Sequence, residues 1–481
     1  MFRGIPYAKP PIGRLRWRSP EPVEPWVGVR DATQFGPISP QAPTQIEALL
    51  GGSFGDQSED CLYLNVWTPG CDDSRRPVMV WIHGGAFVIG SASQGLYNGR
   101  RLAERDCVIV TLNYRLGVFG FLNLADATNG ACSATGAEGI ADQILALQWV
   151  KRNIATFGGD ADNITVFGES AGAMSIAMLM GSRGPSGLFH KAIVQSGSAH
   201  IGHSRERSER VARAFFDQLG IAPNEVSKIA DASDDVLIQA QIELLSGHHK
   251  LGDVPFQPTI DGVVVPERPI DAIRRGAAAG IPVIAGTTKE EWKLFSAASP
   301  RLRLMSRGTF EQRIQKIADG HAEAMLAAYA DGTTFDRFNA MMTDKVFAVP
   351  TARLLEAQGF YAPTFAYRFD WCARFLGGLM GSCHALDLGF VFGTYDAKLA
   401  SAFFGNGRAA DQLSEAMIDA WTAFARSGDP AGKNTGAWPC YDAGSRCVMI
   451  FGDGSPHLVE APNEQRRLAW DALPEHRLGL S

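Results

Sequence analysis

A serine flanked by glycines lies where a predicted strand meets a predicted helix. The segment Gly168-Glu-Ser-Ala-Gly172 follows the apolar run 164–167 and precedes a helical pattern of small residues over 171–180. A serine in such a turn needs small neighbours, because the backbone is strained and Oγ must stay exposed. The N-terminus of the following helix would direct backbone N–H groups at a reacting carbonyl. We therefore predict that Ser170 is a nucleophile for acyl transfer; the alternative is an ordinary small residue in a tight turn.

A second Gly-x-Ser-x-Gly match occurs at Gly51-Gly-Ser-Phe-Gly55. It lies in a glycine-rich stretch with no predicted strand before it and no predicted helix after it. The nucleophile motif requires that strand-turn-helix context. We therefore predict that Ser53 is not catalytic.

A glycine run follows another predicted strand and offers backbone donors. The strand 78–82 leads directly into His83-Gly-Gly-Ala-Phe87. Glycines let backbone amides approach a ligand closely, and acyl transfer needs such donors at its developing oxyanion, each worth about 3 kcal/mol. Taken alone the run is a glycine-rich turn; together with the Ser170 motif it predicts an oxyanion hole. His83 has no partner ligands at metal-site spacing, so we predict no metal.

The elements that must position these residues alternate between strands and helices. Further apolar runs predict strands at 108–112, 192–195, 282–285 and 365–369, and the spacing of Ile140, Ile144, Leu147 and Val150 predicts a helix over 137–157. This alternation predicts an α/β fold with a mostly parallel sheet and helices on both faces. Residues 204–250 and 296–360 have helical patterns and are predicted to be insertions rather than separate domains. The first forty residues, rich in proline and glycine, predict extended, turn-rich chain.

Composition excludes several classes of protein. The 481 residues carry 45 Lys and Arg against 51 Asp and Glu, which does not predict a nucleic-acid-binding protein. The hydrophobic fraction of 46% argues against intrinsic disorder. No apolar run is long enough to span a membrane, and no signal-peptide core follows Met1, so we expect a cytoplasmic protein unless a leader has been removed.

The eight cysteines are too few for a disulfide scaffold and form no Cys-x-x-Cys pair. We predict scattered buried thiols. A few disulfides are the alternative, and Cys440 and Cys447 are the pair most easily imagined as bridged.

Eight motifs occur in a consistent order along most of the chain. They are 2–11, Ser58-Glu-Asp-Cys-Leu-Tyr-Leu-Asn-Val-Trp67, 83–87, Asn113-Tyr-Arg-Leu-Gly-Val-Phe-Gly-Phe121, 158–160, 168–172, Gln195-Ser-Gly197 and 384–393. These motifs resemble those of the type B carboxylesterases, a family of α/β-hydrolases that includes the cholinesterases. The resemblance implies an α/β-hydrolase fold in which large helical insertions form a lid and pocket on a single domain, 1–481.

The resemblance implies a base and an acid downstream of the nucleophile. His384 matches the family's base, and Glu291 matches the acid, with Glu290 as its exposed neighbour. Nucleophile, acid and base then follow the chain order expected of α/β-hydrolases. The family usually has glycine after the acid, whereas this chain has Trp292, which leaves Glu290 as the alternative acid.

Further roles are implied by the same resemblance. The oxyanion donors map to the backbone N–H groups of Gly85, Ala86 and Ala171. Glu169 matches the carboxylate that precedes the nucleophile, and Ser196 matches a serine that helps to hold the acid. Each of these two side chains has the alternative of satisfying local backbone groups.

The sequence departs from the family at an early loop. Cys61 lacks its usual disulfide partner, because Ser39 occupies the expected position, and residues 41–60 contain no Trp to bind a quaternary ammonium. A choline ester is therefore not the predicted substrate.

Together these features predict a serine esterase that hydrolyses a small ester through an acyl-enzyme and needs no cofactor. Leu294, Phe295 and Phe347 are candidate pocket residues, with core packing as the alternative. The same machinery could be specialised for carbamates, amides, polyesters or xenobiotic esters. A non-catalytic cholinesterase-like binding protein is a remote alternative, because such proteins typically lose a residue of the catalytic set.

Overall fold

A single sheet of ten strands forms the centre of the computed structural model, which describes residues 1–43, 55–182, 184, 186–247, 254–318, 320–397 and 400–480. The strand order is β1-β2-β4-β3-β5-β6-β7-β8-β9-β10. Pairing is parallel from β4 through β9, and antiparallel at β1–β2, β2–β4 and β9–β10. The strands are β1 Phe2–Pro6, β2 Tyr63–Trp67, β3 Arg76–Ile82, β4 Val108–Leu112, β5 Gly159–Glu169, β6 Lys191–Gln195, β7 Val283–Thr288, β8 Thr364–Phe369, β9 Cys447–Phe451 and β10 His457–Glu460.

The six strands predicted from apolar runs are all present, and the mostly parallel sheet is confirmed. Successive side chains of β3 enter two separate apolar clusters, Val78 and Val80 on one face and Met79 and Trp81 on the other. A strand that is buried on both faces has a continuous apolar sequence, which is why these runs were recognisable.

Helices cover both faces of the sheet. Helix α5 packs into the first cluster through Ile176, and α18 packs into the second through Trp421. The α-helices are α1 Arg100–Ala103, α2 Gly117–Gly120, α3 Leu124–Ala127, α4 Glu138–Asn153, α5 Ala171–Gly181, α6 Arg205–Leu219, α7 Val226–Ala230, α8 Asp234–Gly247, α9 Pro269–Arg274, α10 Lys293–Ser296, α11 Pro300–Arg303, α12 Arg307–Ala318, α13 Ala322–Ala328, α14 Thr334–Thr343, α15 Val349–Gly359, α16 Leu388–Phe392, α17 Ser401–Phe404, α18 Arg408–Ser427 and α19 Glu464–Asp471.

The helix predicted over 137–157 is confirmed as α4, which continues into a 3₁₀ turn at Ile154–Phe157. Gly158 ends this turn with φ 75°, a left-handed conformation that glycine adopts without steric cost. The chain is thereby turned into β5, the strand that leads to Ser170.

In their described residues, the two predicted insertions are helical and contribute no strand to the sheet. The first contains α6, α7 and α8, and its residues 248–250 lie outside the described part of the chain, as does Ser53. The second contains α11 to α15 and a π-helical turn at Asp344–Ala348. One domain over 1–481 stays a prediction.

All eight cysteines are free, so the structure contains no Cys440–Cys447 bridge. Four of the thiols are buried, but those of Cys71, Cys372 and Cys440 are exposed, so the prediction of buried thiols is only partly right. None of the helices in the described ranges is long and apolar enough to cross a membrane.

Candidate active site

Ser170 occupies a strained turn between β5 and α5. Its backbone has φ 53° and ψ −122°, and its N–H donates to the carbonyl of Gln195 over 3.0 Å. A Cβ at position 172 would lie 2.0 Å from the carbonyl oxygen of Ile82, so Gly172 lets the helix approach β3. A positive φ at a residue other than glycine costs of order 1–3 kcal/mol and is concentrated at functional sites.

The glycine run after β3 forms a loop facing Ser170. Gly85 has φ 109°, and a Cβ there would lie 2.0 Å from the carbonyl oxygen of Ile89, so a larger residue does not fit. In the described part of the chain, the N–H groups of Gly85, Ala86 and Ala171 have no hydrogen-bond acceptor. These three residues line the same cavity as Ser170. The structure thus brings together the three donors that the resemblance implies.

His83 holds this loop in place. Its ring stacks on Tyr114 with a centroid distance of 4.5 Å, and the Tyr114 hydroxyl donates to the His83 carbonyl over 2.8 Å. Burial lowers the pKa of His83 to about 4, so the ring is neutral at pH 7. His83 Nδ1 lies 2.8 Å from the carbonyl oxygen of Gly84 and donates to it.

His384 and Glu291 form a buried pair at the cavity that Ser170 lines. His384 Nδ1 lies 2.6 Å from Glu291 Oε2, and Glu291 Oε1 accepts the N–H of Thr288 over 2.7 Å. Trp292 has φ −69° and ψ −13°, an ordinary helical conformation. The position after the acid therefore needs no glycine here, which removes the reason for doubting the local backbone.

Glu290 is directed elsewhere. Its Oε2 accepts the N–H of Ser382 over 3.0 Å, and its Oε1 pairs with Lys293 Nζ at 2.6 Å. Of the two adjacent glutamates, the structure therefore places only Glu291 against His384.

A second carboxylate lies on the other side of the imidazole. Glu169 Oε1 is 2.9 Å from His384 Nε2, and both side chains are buried. Burial alone would lower the pKa of His384, but the charges of Glu169 and Glu291 outweigh it and raise this pKa above its ordinary value. Ser170 Oγ makes no hydrogen bond to His384 in the described structure, and such catalytic contacts are often long before substrate binds.

Ser196 does not make the contact expected of it. Its Oγ is buried and has no hydrogen-bond partner among the described residues, and its N–H donates to the carbonyl of Gly286. Glu291 is held by the N–H of Thr288 instead. The N–H of Thr288, at the end of β7, thus makes the hydrogen bond to Glu291 that the family resemblance implied for the Ser196 hydroxyl.

Asp387 is a buried carboxyl that the sequence did not single out. Its Oδ2 accepts from Gln195 Nε2 over 2.9 Å and from the Tyr367 hydroxyl over 2.8 Å. Burial, together with the nearby charge of Glu169, raises the pKa of Asp387 to about 7. Its position three residues after His384 was the available signal, since residues at that spacing lie on one side of a helical turn.

The cavity at Ser170 has a volume of about 380 Å³ and a mostly apolar wall. Phe347 and Phe295 pack their rings 4.9 and 5.2 Å from the His384 ring, and Leu294 also lines the cavity, so all three candidate pocket residues border it. The lining residues that were not anticipated include Met174 and Leu480. Apolar walls with a few convergent polar groups are typical of small-molecule sites.

Comparison with known proteins places the fold in a defined class. A carboxylesterase from Geobacillus stearothermophilus has a TM-score of 0.88 and 38% identity over 98% of this chain and 95% of its own. A thermophilic para-nitrobenzyl esterase has a TM-score of 0.87 and 38% identity over 97% and 95% of the two chains. With its parallel sheet and its serine in a strand-to-helix turn, the protein is a hydrolase with the α/β-hydrolase fold.

Sequence relatives define the family within that class. Para-nitrobenzyl esterase of Bacillus subtilis is 40% identical over 97% of this chain and 94% of its own, and phenmedipham hydrolase of Pseudarthrobacter oxydans is 34% identical over 94% and 91%. The model of the carboxylesterase family matches residues 1–467. The chain belongs to the carboxylesterase family, and it is a carboxylic ester hydrolase.

Proposed function

We propose that Ser170, His384 and Glu291 form the catalytic triad of this esterase. The observation that carries the proposal is the 2.6 Å contact between His384 Nδ1 and Glu291, in a cavity that Ser170 and His384 line together. A carboxylate bound to Nδ1 fixes the tautomer in which Nε2 accepts a proton. Nε2 is the ring nitrogen that does not contact Glu291, and it lies 2.9 Å from Glu169 Oε1.

The acylation step uses these groups in sequence. Ser170 Oγ attacks the ester carbonyl while its proton passes to neutral His384 at Nε2. The oxyanion accepts hydrogen bonds from the N–H groups of Gly85, Ala86 and Ala171. When the intermediate collapses, the carbon–oxygen bond to the alcohol breaks, and the proton on Nε2 goes to the departing oxygen.

Deacylation repeats the chemistry with water. His384 accepts a proton from a water molecule that attacks the acyl carbonyl, and the second tetrahedral intermediate again places its oxyanion among the three amides. Collapse returns the proton to Ser170 Oγ and releases the acid. Each cycle consumes one ester and one water and restores the neutral imidazole.

Glu169 stabilises the imidazolium that forms in both steps. Because it faces Nε2 in the resting site, it also competes with Ser170 for that nitrogen. We propose that substrate binding brings Nε2 from Glu169 toward Ser170 Oγ. Glu169 would then stabilise the positive charge of His384 without contacting the substrate.

Glu169→Gln is expected to move the acid limb of the kcat/KM profile to lower pH. The base must be neutral, and removal of a carboxylate lowers the pKa of the cationic acid, by about 1–3 pH units for a close charge pair. The measurement is kcat/KM against pH for a neutral ester. Glu209→Gln, which removes a surface carboxylate paired with Arg213, is the matched control; an unshifted profile in Glu169→Gln would contradict the proposed coupling.

We propose uncharged esters with small apolar groups as substrates, because the cavity is apolar and about 380 Å³ in volume. The first compounds for a substrate panel are taken from the names of two relatives, para-nitrobenzyl esterase and phenmedipham hydrolase. Para-nitrobenzyl esters, phenmedipham, simple amides and a polyester then compare ester hydrolysis with the more specialised alternatives. The highest kcat/KM is expected for the simple esters.

The proposed nucleophile is tested by covalent labelling. A fluorophosphonate reacts with activated serines, so we expect one label per chain, mapped by peptide mass spectrometry to the peptide that contains Ser170. The label should fail to attach when the protein is first unfolded, because the turn and the base are then lost. Labelling at Ser53 or at any other serine would overturn the assignment.

A further inference from the structure

The segment 475–480 closes one wall of the active-site cavity. It follows α19 in sequence and begins with a 3₁₀ turn at Glu475–Arg477. The side chain of Leu480 lines the same cavity as Ser170, Phe295 and Phe347. A residue far along the chain from every catalytic motif thus borders the space in which the ester binds.

Three hydrogen bonds join the backbone of this segment to Lys345 and Gln257. The Gly479 N–H donates to the carbonyl of Lys345 over 2.9 Å, and Lys345 Nζ donates to the carbonyl of Gly479 over 2.8 Å. Gln257 Nε2 donates to the carbonyl of Leu480 over 3.1 Å. Lys345 lies two residues before Phe347, whose ring contacts His384, so the segment is tied to the same wall that packs on the base.

Close packing fixes the segment at Gly479 as well. This residue has φ 80°, and a Cβ there would lie 2.3 Å from the carbonyl oxygen of His200. Only glycine fits this approach without displacing the chain. The neighbouring Leu478 is buried, so the segment is anchored immediately before Leu480.

A cluster of charges holds the start of the segment. Glu475 Oε1 lies 2.9 Å from His200 Nε2, and its Oε2 accepts from Arg274 Nη1 over 2.7 Å, with Arg268 at 3.8 Å. These partners hold the pKa of Glu475 well below its usual range. A partly buried carboxylate with several partners orients the chain more strongly than an isolated surface ion pair.

We propose that Leu480 is a specificity-determining residue of this esterase, and that Glu475 is a positioning residue that holds it in the wall. The side chain of Leu480 limits the size of the ester that reaches Ser170. The proposal rests on the proposed role of Ser170 as nucleophile. The segment 475–480 is short and is fixed at a few points. The shape of this part of the wall is therefore set by the Leu480 side chain and by the charge cluster around Glu475.

The first test changes the size of this side chain. We measure kcat/KM for p-nitrophenyl acetate, butyrate and octanoate, and for acetates of alcohols of increasing size. In at least one series, Leu480→Ala is expected to raise the ratio of the largest to the smallest substrate about tenfold, and Leu480→Trp to lower it about tenfold, the scale expected for a small change in pocket volume. Leu468→Ala, which shortens an exposed leucine on α19, is the control and should leave both ratios unchanged. Unchanged ratios in both Leu480 variants would overturn the proposal.

The second test separates positioning from stability. Glu475→Gln is expected to shift the same ratio in the same direction as Leu480→Ala, by about two- to threefold, because the segment loses its charge partners but keeps its side chain. Glu311→Gln removes a surface partner of Arg307 and should leave the ratio as in the unmodified protein. A Glu475→Gln protein with a lower Tm and an unaltered ratio would show that the cluster only stabilises the fold.

The fluorophosphonate label distinguishes failure of this inference from failure of the proposed nucleophile. If the label maps to Ser170 and the ratios do not change, the role of Leu480 is wrong while the triad stands. If the label maps elsewhere, the triad is wrong, and the inference about Leu480 falls with it.

Discussion

Replacing Ser170 by alanine is expected to lower kcat for ester hydrolysis about 10⁶-fold, since removal of the nucleophile in a triad enzyme has an effect of that order. Alanine meets the same steric restrictions as serine at φ 53°, and Ser170 Oγ makes no hydrogen bond within the described structure. The substitution should therefore leave the unfolding midpoint within about 1 °C, a shift that corresponds to about 1 kcal/mol for a chain of 481 residues. The residual rate would come from the oxyanion donors alone.

The matched control is Ser53→Ala, which removes the serine of the other Gly-x-Ser-x-Gly motif. We expect its kcat and its fluorophosphonate labelling to equal those of the unmodified protein. The kcat of both variants is measured with p-nitrophenyl acetate, at enzyme concentrations high enough to detect very slow turnover. A Ser170→Ala protein that retains more than about one hundredth of the activity would contradict the mechanism.

Glu291→Gln is expected to lower kcat about 10⁴-fold, whereas Glu290→Gln should change it by less than about threefold. Glutamine at 291 keeps the shape of the side chain but offers an amide where His384 needs an acceptor, so the ring loses the required tautomer. The carboxylate of Glu290 binds Ser382 and Lys293 instead of the base. Its loss should cost about 1 kcal/mol of stability rather than turnover.

Glu290→Gln and Glu291→Gln, measured in the same assay, show which of the two adjacent glutamates is the acid. Steady-state kinetics give kcat, and thermal unfolding gives the change in stability. A large kinetic loss in Glu290→Gln with an active Glu291→Gln would show that the acid has been assigned to the wrong residue.

The turn chemistry of the site was predictable from short segments. Gly168 and Gly172 around Ser170, and the glycines after β3, stand within short motifs, although the backbone that Gly168 and Gly172 approach is the carbonyl of Ile82, far away in sequence. His384 and Glu291 are different, because nothing local brings together a loop after β8 and a turn after β7. They could be chosen only through resemblance to a family in which that geometry recurs.

Other features have weak sequence signals for physical reasons. The strands β1, β2 and β10 lie toward the sheet edges, and β10 is largely exposed, so these three strands lack the continuous apolar runs of the central strands. No sequence pattern predicts that Leu480 lines the cavity, because this depends on where the segment 475–480 packs, far along the chain from the catalytic motifs. Ser196 shows the converse, since a matching residue type does not guarantee the expected hydrogen bond.

The buried carboxylates at the site affect how the product of hydrolysis leaves the cavity. Glu169 and Glu291 lie on either side of the His384 imidazole, with Asp387 buried near both, and the described residues that line the cavity include no lysine or arginine. An uncharged ester enters without repulsion, but hydrolysis converts it to a carboxylic acid, which is ionised at neutral pH. The newly formed anion is repelled by the same charges that stabilise the imidazolium. The site thus favours departure of its product, and we expect weak inhibition by carboxylate anions that resemble it.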